Sequence, residues 1–227
     1  MDALITDFDG VVADSEPIHL RGFAAVLAQA GITFTHEQYY GKYLGLDDHD
    51  CFQSAGRDNG REFTADELAE MIAAKTRMGQ ALMAESIQPI AGIVELLAAL
   101  VEADVPIAIC SGALRDEVEL CSRVIGVRDR FLAIVTAEDV ARGKPDPQGY
   151  AVALEQLREA TGRDLQAGRC VVTEDSPAGI AAAKAMGMNV LAITSSYPGD
   201  ALGRADLIVD SFQDVTLATM RELVGEM

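Results

Sequence analysis

The sequence predicts an α/β protein: a Rossmann-like, doubly wound, mainly parallel sheet that carries an inserted block of helices. Three observations lead to this prediction. Short apolar segments recur along the chain, as expected for strands of a parallel sheet that is covered on both faces. From about residue 90 they alternate with segments of helical length, which is the pattern of a doubly wound fold. Residues 16–86 contain helical patterns but no convincing buried strand.

The strands are predicted where the chain is continuously apolar instead of alternating between apolar and polar residues. The first of these segments lies at the start of the chain, and the others follow the helical block. The predicted strands are residues 4–6, 106–110, 131–136, 169–173, 189–194 and 207–209.

The helices between the later strands are indicated by their start and stop signals. They are expected over residues 93–103 and 114–125, and again after residues 146 and 176. Asp146-Pro147 and Ser176-Pro177 each offer a capping side chain followed by proline at the first helical position. The second of these helices is expected to end at Gly187, because glycine adopts the left-handed conformation that follows many helices.

The helical block is predicted to be a separate domain. One helix is expected over residues 17–30, and another from Thr64 to about residue 84, where Thr64 and Glu67 form a capping box. Residues 39–60 are expected to be helix with loops. The predicted domains are an α/β core of residues 1–15 and 87–227 and a helical cap of residues 16–86.

The charge of the chain restricts its partners. The formal net charge is −18, which repels nucleic acid and anionic membranes over long range. A small phosphorylated metabolite would also be repelled unless the site carries its own cations. The chain lacks the roughly 18 consecutive apolar residues of a membrane helix, and its start lacks the features of a signal peptide. A cytoplasmic protein, a monomer or small homo-oligomer, is therefore expected.

The four cysteines, at positions 51, 110, 121 and 170, are far apart and show no metal-binding spacing. Cys110 and Cys170 lie inside apolar segments, so buried thiols are expected.

Asp7 and Asp9 follow the first strand and are the first candidates for chemistry. If the strand continues, the two carboxylates point the same way and lie roughly 7 Å apart. Like charges this close favour a shared cation, and oxygen ligands suit Mg²⁺. Asp9 is also placed to transfer a proton beside an Asp7 nucleophile. A polar turn at the end of the strand, eased by Gly10, is the alternative interpretation.

Three further polar clusters also follow strands, at the edge where open α/β sheets bind ligands. Ser111 and Gly112 could bind a phosphate oxygen through a hydroxyl and backbone N–H groups. Lys144 could neutralise phosphate charge, and Glu174-Asp175 adds a second acid pair. Each cluster alone could instead be a helix cap or a solvated loop. Together they predict a phosphoryl-transfer site, because no P-loop, G-x-S-x-G elbow or histidine-based arrangement competes with them.

The ordered motifs resemble the haloacid dehalogenase superfamily, in its phosphatase and phosphomutase branch with a helical cap. Asp7-Phe8-Asp9-Gly10-Val11 is similar to that family's first motif. Ser111, Lys144 and Glu174-Asp175 are similar to its second, third and fourth motifs. The string from Glu174 to Ile180, EDSPAGI, resembles the β-phosphoglucomutase-like subgroup, and the similarity extends over nearly the whole chain, including a cap of matching size.

The resemblance implies a role for each matching residue. Asp7 attacks phosphorus and becomes an aspartyl-phosphate, while Asp9 protonates the leaving alcohol and then activates water. The implied Mg²⁺ ligands are a carboxylate oxygen of Asp7, the backbone carbonyl of Asp9, and Asp175 with help from Glu174. Ser111, Gly112 and Lys144 would hold the phosphoryl group. Dehalogenation itself is disfavoured, because dehalogenases need no second acid at the position of Asp9.

The resemblance leaves the cap and the substrate open. In the mutase-like relatives a histidine at the position of His19 reaches towards the site, although a surface histidine is equally compatible with this spacing. The mutases grip substrate phosphate with cap cations, but the matching stretch here is Leu44-Gly45-Leu46-Asp47-Asp48. This departure favours hydrolysis, although Lys42, Lys75 and Arg77 could still supply a clamp.

A phosphomonoester phosphatase is therefore the leading hypothesis. A β-phosphoglucomutase-like sugar-phosphate mutase is the first alternative. The second alternative is a non-catalytic module that binds Mg²⁺ or phosphate.

Overall fold

A computed structural model describes residues 1–226, and the chain divides into two compact units. One unit consists of Met1–Asp14 together with the segment that begins at Gln88, and we call it the core unit. The other is Ser15–Ile87, which we call the helical unit.

The helical unit contains four α-helices and one short π-helix. Thr64 caps the longest of them by accepting a hydrogen bond from the N–H of Glu67, whose carboxylate accepts from the N–H of Thr64. This is the predicted capping box. The unit has its own apolar core, in which the rings of Phe23 and Phe52 meet edge to face. Its elements are α1 (Glu16–Gln29), α2 (His36–Gln38), the π-helix (Tyr39–Tyr43), α3 (Asp48–Asp58) and α4 (Ala65–Ser86).

The core unit is built on a six-stranded sheet in which every neighbouring pair is parallel. The prediction of a doubly wound parallel sheet is confirmed. The strand order is β3-β2-β1-β4-β5-β6, so the chain winds outward from β1 in both directions. The strands are β1 (Ala3–Thr6), β2 (Ile107–Cys110), β3 (Ala133–Val135), β4 (Cys170–Glu174), β5 (Asn189–Ile193) and β6 (Leu207–Val209).

The helices of the core unit cover this sheet. Every residue of β1, β2 and β4 is buried, which explains why these segments are continuously apolar. Tyr150, Leu154 and Ile180 of the helices pack with Ile5 and Val172 of the strands. The helices are α5 (Ile93–Glu102), α6 (Arg115–Ile125), α7 (Gln148–Thr161), α8 (Pro177–Ala185) and α9 (Leu217–Leu223). Single 3₁₀ turns lie at Arg128–Arg130, Ala137–Asp139 and Ala167–Arg169. No α-helix within residues 1–226 combines the length and apolarity that crossing a bilayer requires.

Most predicted boundaries differ from the structure by a residue or two, and two of these differences have a local cause. Strand β3 spans Ala133–Val135 instead of residues 131–136. At its end, the N–H and the hydroxyl of Thr136 both donate to Asp139 Oδ2 in a turn that stops the strand. Helix α7 begins one residue later than predicted. The carbonyl of Pro147 accepts the first helical hydrogen bond, from Ala151, so Pro147 is itself the N-cap. Asp146 still supports the helix start, since its Oδ1 accepts from the N–H of Gln148 at 3.0 Å.

Candidate active site

The carboxyl ends of the central strands carry most of the polar side chains singled out in the sequence. Thr6 of β1 is in register with Ile109 of β2 and with Thr173 of β4. The residues that follow these positions, Asp7 and Glu174 among them, therefore emerge side by side. The N–H of Asp7 still bonds to the carbonyl of Thr173 at 2.9 Å, which fixes the backbone of Asp7 to β4. The carboxylate cluster and the residues that contact it lie within the core unit.

Lys144 joins two of the acidic residues. Its Nζ lies 2.9 Å from Asp7 Oδ1 and 2.6 Å from Glu174 Oε1. It comes from the loop before α7, whose Tyr150 ring lies under the ammonium at 5.3 Å from Nζ to the ring centre. Its side chain is only 16% exposed, so this ion pair is largely shielded from water. The structure therefore brings three sequence-predicted residues, Asp7, Lys144 and Glu174, into direct contact.

Glu174 is completely buried and has both oxygens occupied. Oε1 accepts from Lys144 and from the hydroxyl of Tyr150, at 2.6 and 2.8 Å. Oε2 accepts from the N–H of Asp175 at 3.1 Å, and from the N–H and hydroxyl of Ser176 at 3.0 and 2.9 Å. Helix α8 packs directly against this carboxylate at Gly179, where a Cβ would lie 1.7 Å from Oε1. Glu174 is therefore fixed by five hydrogen-bond donors.

Asp175 is held by a different set of groups. Its Oδ2 accepts a short hydrogen bond from the hydroxyl of Ser196, and the hydroxyl of Ser195 lies 3.4 Å from the same oxygen. Ser195 also donates a short bond to the carbonyl of Gly10, in the loop that follows Asp7. Gly10 has a φ of 71°, and a Cβ on it would lie 1.9 Å from Asp175 Oδ2. Only glycine fits this left-handed, close-packed position.

Asp7, Glu174 and Asp175 form a buried cluster in which one carboxylate oxygen from each residue lies within 4.8 Å of the other two. Burial, together with the neighbouring carboxylates, raises the pKa of Asp7 well above its usual value despite the opposing charge of Lys144. Burial and the charge of Glu174 likewise raise the pKa of Asp175, to about 7. Carboxylates crowded in this way are stabilised by a cation between them, and the all-oxygen donor set suits a hard divalent ion. The residues present therefore fit a divalent metal.

Lys144 and Glu174 are the charged partners within this cluster. Burial disfavours the ammonium form of Lys144, but the charges of Asp7 and Glu174 outweigh it and raise its pKa well above the usual value. Burial would raise the pKa of Glu174, yet the charge of Lys144 and the hydrogen bonds from Lys144, Tyr150 and Ser176 lower it. The pair is accordingly ionised, and Lys144 is a permanent positive charge beside Asp7.

Ser111 and Gly112 follow β2 at the same edge. The N–H of Ser111 bonds to the carbonyl of Val135, and its hydroxyl accepts from the N–H of Ala113 at 3.0 Å. Gly112 has open space where a Cβ would be. A cavity of about 240 Å³ borders Ser111, Gly112 and Lys144, so all three reach the same space.

Asp9 stands apart from the cluster of three carboxylates, although its charge contributes to the raised pKa of Asp175. It is half-buried in the loop after β1, where its backbone forms a bridge with Ala13. The expectation that Asp7 and Asp9 serve the same ion stays a prediction. The residues grouped with Asp7 are Glu174 and Asp175, because parallel pairing of β1 and β4 brings those two alongside it.

The remaining candidates lie in the helical unit. His19 is a half-buried residue of α1, and its N–H bonds to the carbonyl of Ser15. Lys42 and Lys75 each form an ion pair within the unit, with Asp58 and Asp48 respectively. Their charges are already partnered there.

Three residues around the cluster were not singled out in the sequence. In the sequence, Tyr150 occupies an apolar position of a helix, and nothing around it indicates a hydrogen bond to Glu174. Ser195 and Ser196, in contrast, follow β5 closely, and the rule that ligands bind at the carboxyl edge could have identified them.

The chain is similar to proteins of known family. Residues 4–193 match the family model described as haloacid dehalogenase-like hydrolase. A validoxylamine A 7'-phosphate phosphatase from Streptomyces hygroscopicus subsp. limoneus is 28% identical, over 92% of this chain and 93% of the relative. A beta-phosphoglucomutase from Bacillus subtilis (strain 168) is 30% identical, over 98% of this chain and 95% of the relative.

Solved structures show the same similarity in three dimensions. A crystal structure of CbbY from Rhodobacter sphaeroides in complex with xylulose-(1,5)bisphosphate superposes with a TM-score of 0.81 at 28% identity. The match covers 97% of this chain and 99% of that one. The family model spans most of the chain, and the motifs that first suggested the family lie at one edge of the sheet. The chain belongs to the haloacid dehalogenase-like hydrolase family.

Proposed function

We propose that this protein is a Mg²⁺-dependent phosphatase that hydrolyses a small-molecule phosphomonoester through an aspartyl-phosphate on Asp7. The observation that carries the proposal is the buried contact between Asp7, Lys144 and Glu174, with Asp175 beside them. A lysine held against a buried carboxylate at a ligand-binding sheet edge suits attack on an anionic phosphoryl group.

The nucleophile and the proton donor are assigned to the two aspartates of the first motif. Asp7 attacks phosphorus through a carboxylate oxygen, and its backbone is fixed by the bond to Thr173. Asp9, in the loop after β1, protonates the leaving alcohol and then takes a proton from the attacking water. Separation of Asp9 from the carboxylate cluster suits this role, because a proton carrier must reach the substrate and not the metal.

The metal ligands are Asp7, Asp175 and the backbone carbonyl of Asp9, with Glu174 in support. When bound, Mg²⁺ supplies positive charge that neutralises the phosphoryl oxygens. The five donors on Glu174 limit its capacity as a direct ligand, so its main contribution is to hold Lys144 and the 175–176 backbone in place. Lys144, the hydroxyl of Ser111 and the N–H groups near Gly112 bind the transferring phosphoryl group.

The substrate is a small phosphorylated metabolite, and the helical unit, taken as a cap of residues 16–86, selects it. The Streptomyces relative is named as a phosphatase of a phosphate ester, and the CbbY structure holds a sugar bisphosphate. The cap carries 11 Asp and Glu residues against six Lys and Arg. The two lysines that could have formed a phosphate clamp are paired with aspartates. These charges favour a leaving group that is neutral or cationic over one with a second phosphate.

A sugar-phosphate mutase is the second candidate, favoured by the 30% identity with the Bacillus subtilis beta-phosphoglucomutase. The two candidates differ in the fate of the phosphoryl group. A mutase returns it to the sugar and releases little free phosphate, whereas a phosphatase releases one phosphate per substrate. A coupled isomer assay with a bisphosphate activator, run beside a phosphate-release assay, decides between them.

The test of the leading proposal is phosphate release from p-nitrophenyl phosphate, with Mg²⁺ and with a chelator. We expect turnover with Mg²⁺ only, and its loss in Asp7→Asn. A matched control is Asp104→Asn, since Asp104 is exposed and its φ of 58° is one that asparagine tolerates. Equal turnover by Asp7→Asn and Asp104→Asn would refute the role of Asp7. A screen of metabolite phosphate esters then identifies the substrate.

A further inference from the structure

Two neighbouring serines connect the metal-site carboxylate to the loop that follows the nucleophile. Ser196 donates a short hydrogen bond to Asp175 Oδ2. Ser195 donates to the carbonyl of Gly10 and lies 3.4 Å from the same oxygen of Asp175. The pair follows β5, whose Leu191 and Ala192 are in register with Thr173 and Glu174 of β4. The parallel pairing of β4 and β5 therefore places both hydroxyls close to Asp175.

We propose that Ser195 and Ser196 are positioning residues that fix the Asp175 carboxylate and the Gly10 loop for metal binding. The inference rests on the proposed function, because it assumes that Asp175 is a metal ligand. The hydrogen bonds described for the Asp175 side chain all fall on Oδ2, which leaves Oδ1 available as the ligand atom. Groups that orient a ligand in this way commonly account for about 10–100-fold in metal affinity.

The packing around Gly10 explains why both serines are needed. Asp175 is 4% exposed, so its carboxylate has few alternative partners. A Cβ on Gly10 would lie 1.9 Å from Asp175 Oδ2 and 2.7 Å from Ser196 Oγ, which shows how closely the loop, the carboxylate and the hydroxyl approach. Ser195 holds the carbonyl of Gly10 at this distance. Movement of either group would change the separation between Asp175 and the backbone of Asp9, one residue before Gly10.

The neighbouring hydroxyl provides an internal control. Thr194 precedes the pair, but its Oγ1 donates to Asp210 at 2.6 Å, and that bond is exposed to solvent. Thr194→Val removes a hydroxyl from the same segment without touching Asp175. A purely structural role for the segment predicts similar effects for Thr194→Val and Ser196→Ala. A positioning role predicts an effect on metal binding for Ser196→Ala but not for Thr194→Val.

The experiment measures Mn²⁺ binding to the substrate-free protein by calorimetry, with Mn²⁺ as a probe for Mg²⁺, and the melting temperature of the metal-free protein. We expect Ser196→Ala to weaken Mn²⁺ binding by about 10–100-fold. Ser196→Thr, which keeps the hydroxyl, should bind within about threefold of wild type, and Ser196→Cys, a weak donor, should lie between them. Ser195→Ala should also bind more weakly, whereas Thr194→Val should bind as wild type does.

The outcomes separate this inference from the proposed function. Wild-type Mn²⁺ affinity in folded Ser196→Ala and Ser195→Ala overturns the positioning role and leaves the phosphatase proposal intact. A wild-type protein that binds no Mn²⁺ overturns both. If Ser196→Ala does not fold, Ser196→Cys decides: affinity equal to that of Ser196→Thr would count against the inference.

Discussion

Gly179 offers the sharpest test of how the site is held together. It lies in the first turns of α8, and a Cβ at this position would lie 1.7 Å from Glu174 Oε1, 1.9 Å from Cδ and 2.3 Å from Oε2. Real Cβ atoms essentially never approach another atom closer than 3.0 Å, so in Gly179→Ala the carboxylate must move by about 1.3 Å. Glu174 holds the ammonium of Lys144 at 2.6 Å, and that contact cannot survive such a displacement unchanged.

The size of the effect follows from this displacement. A misplacement of about 1 Å in a positioned catalytic group can reduce the rate by roughly 100-fold. We therefore expect kcat/KM of Gly179→Ala for p-nitrophenyl phosphate to fall by about that factor at saturating Mg²⁺. Stability should also fall, because each buried polar group left without a partner costs about 1–3 kcal/mol. That loss exceeds the gain of about 0.5–1 kcal/mol expected for alanine over glycine within a helix.

Gly79 supplies the matched control. It lies inside α4, and nothing within 4 Å would meet its Cβ. Gly79→Ala should therefore raise the free energy of unfolding by about 0.5–1 kcal/mol and leave kcat/KM unchanged. The reasoning is refuted if folded Gly179→Ala retains kcat/KM within threefold of wild type, since Glu174 would then not control the position of Lys144.

Three further predictions concern charge. Asp48→Asn leaves the ammonium of Lys75, 10% exposed, without its carboxylate, and should lower the free energy of unfolding by about 2 kcal/mol in urea titrations. Hydrogen bonding to Arg128 lowers the pKa of Glu119, so its stabilisation is present above the unfolded pKa of about 4.3 and is lost as pH falls further. Glu119→Gln should therefore lower the melting temperature at pH 7, and the difference from wild type should shrink below pH 4. Inorganic phosphate should raise the melting temperature only when Mg²⁺ is present, because the charge of Lys144 is already shared by two carboxylates.

Each of these predictions has its own contrary result. Adding Lys75→Met to Asp48→Asn should recover part of the lost stability, and no recovery would show that the unpaired ammonium is not the cause. A constant melting difference for Glu119→Gln from pH 7 to pH 3 would exclude an ionic contribution. An equal phosphate-induced shift in chelator and in Mg²⁺ would show that Lys144 binds the anion unaided.

Most of the sheet could be predicted because its strands are locally distinctive. Strands β1, β2 and β4 are buried along their whole length and are mostly apolar, so these segments stand out without knowledge of their neighbours. Two of the boundary errors occurred where a local hydrogen bond decides where an element begins or ends. Thr136 ends β3 by exchanging hydrogen bonds with Asp139, and Pro147 caps α7 through its carbonyl. Residue propensity and hydrophobic pattern do not indicate which of two adjacent residues makes such a bond.

The sequence could predict which residues form the site, but not which of them contact one another. The motif order indicated Asp7, Lys144 and Glu174 separately, because each lies near a strand end. Their contact depends on β1 lying between β2 and β4. The local sequence pattern does not reveal this strand order. The bond from Tyr150 to Glu174 depends in turn on how α7 packs against the sheet. A buried tyrosine in an amphipathic helix looks the same in the sequence whether or not its hydroxyl has such a partner.

The net charge of the chain and the chemistry of the cluster both call for a cation at the site. A protein of formal charge −18 repels a phosphate ester over long range, and Lys144 cannot offset this alone, since its ammonium already contacts Asp7 and Glu174. The cluster sets three buried carboxylates against one lysine, and burial together with the neighbouring charges raises the pKa values of Asp7 and Asp175. A divalent cation bound there would relieve this excess and would provide the positive charge that an anionic substrate needs. Substrate binding should therefore depend on the metal as strongly as the chemical step does, because the same carboxylates that hold the ion repel phosphate without it.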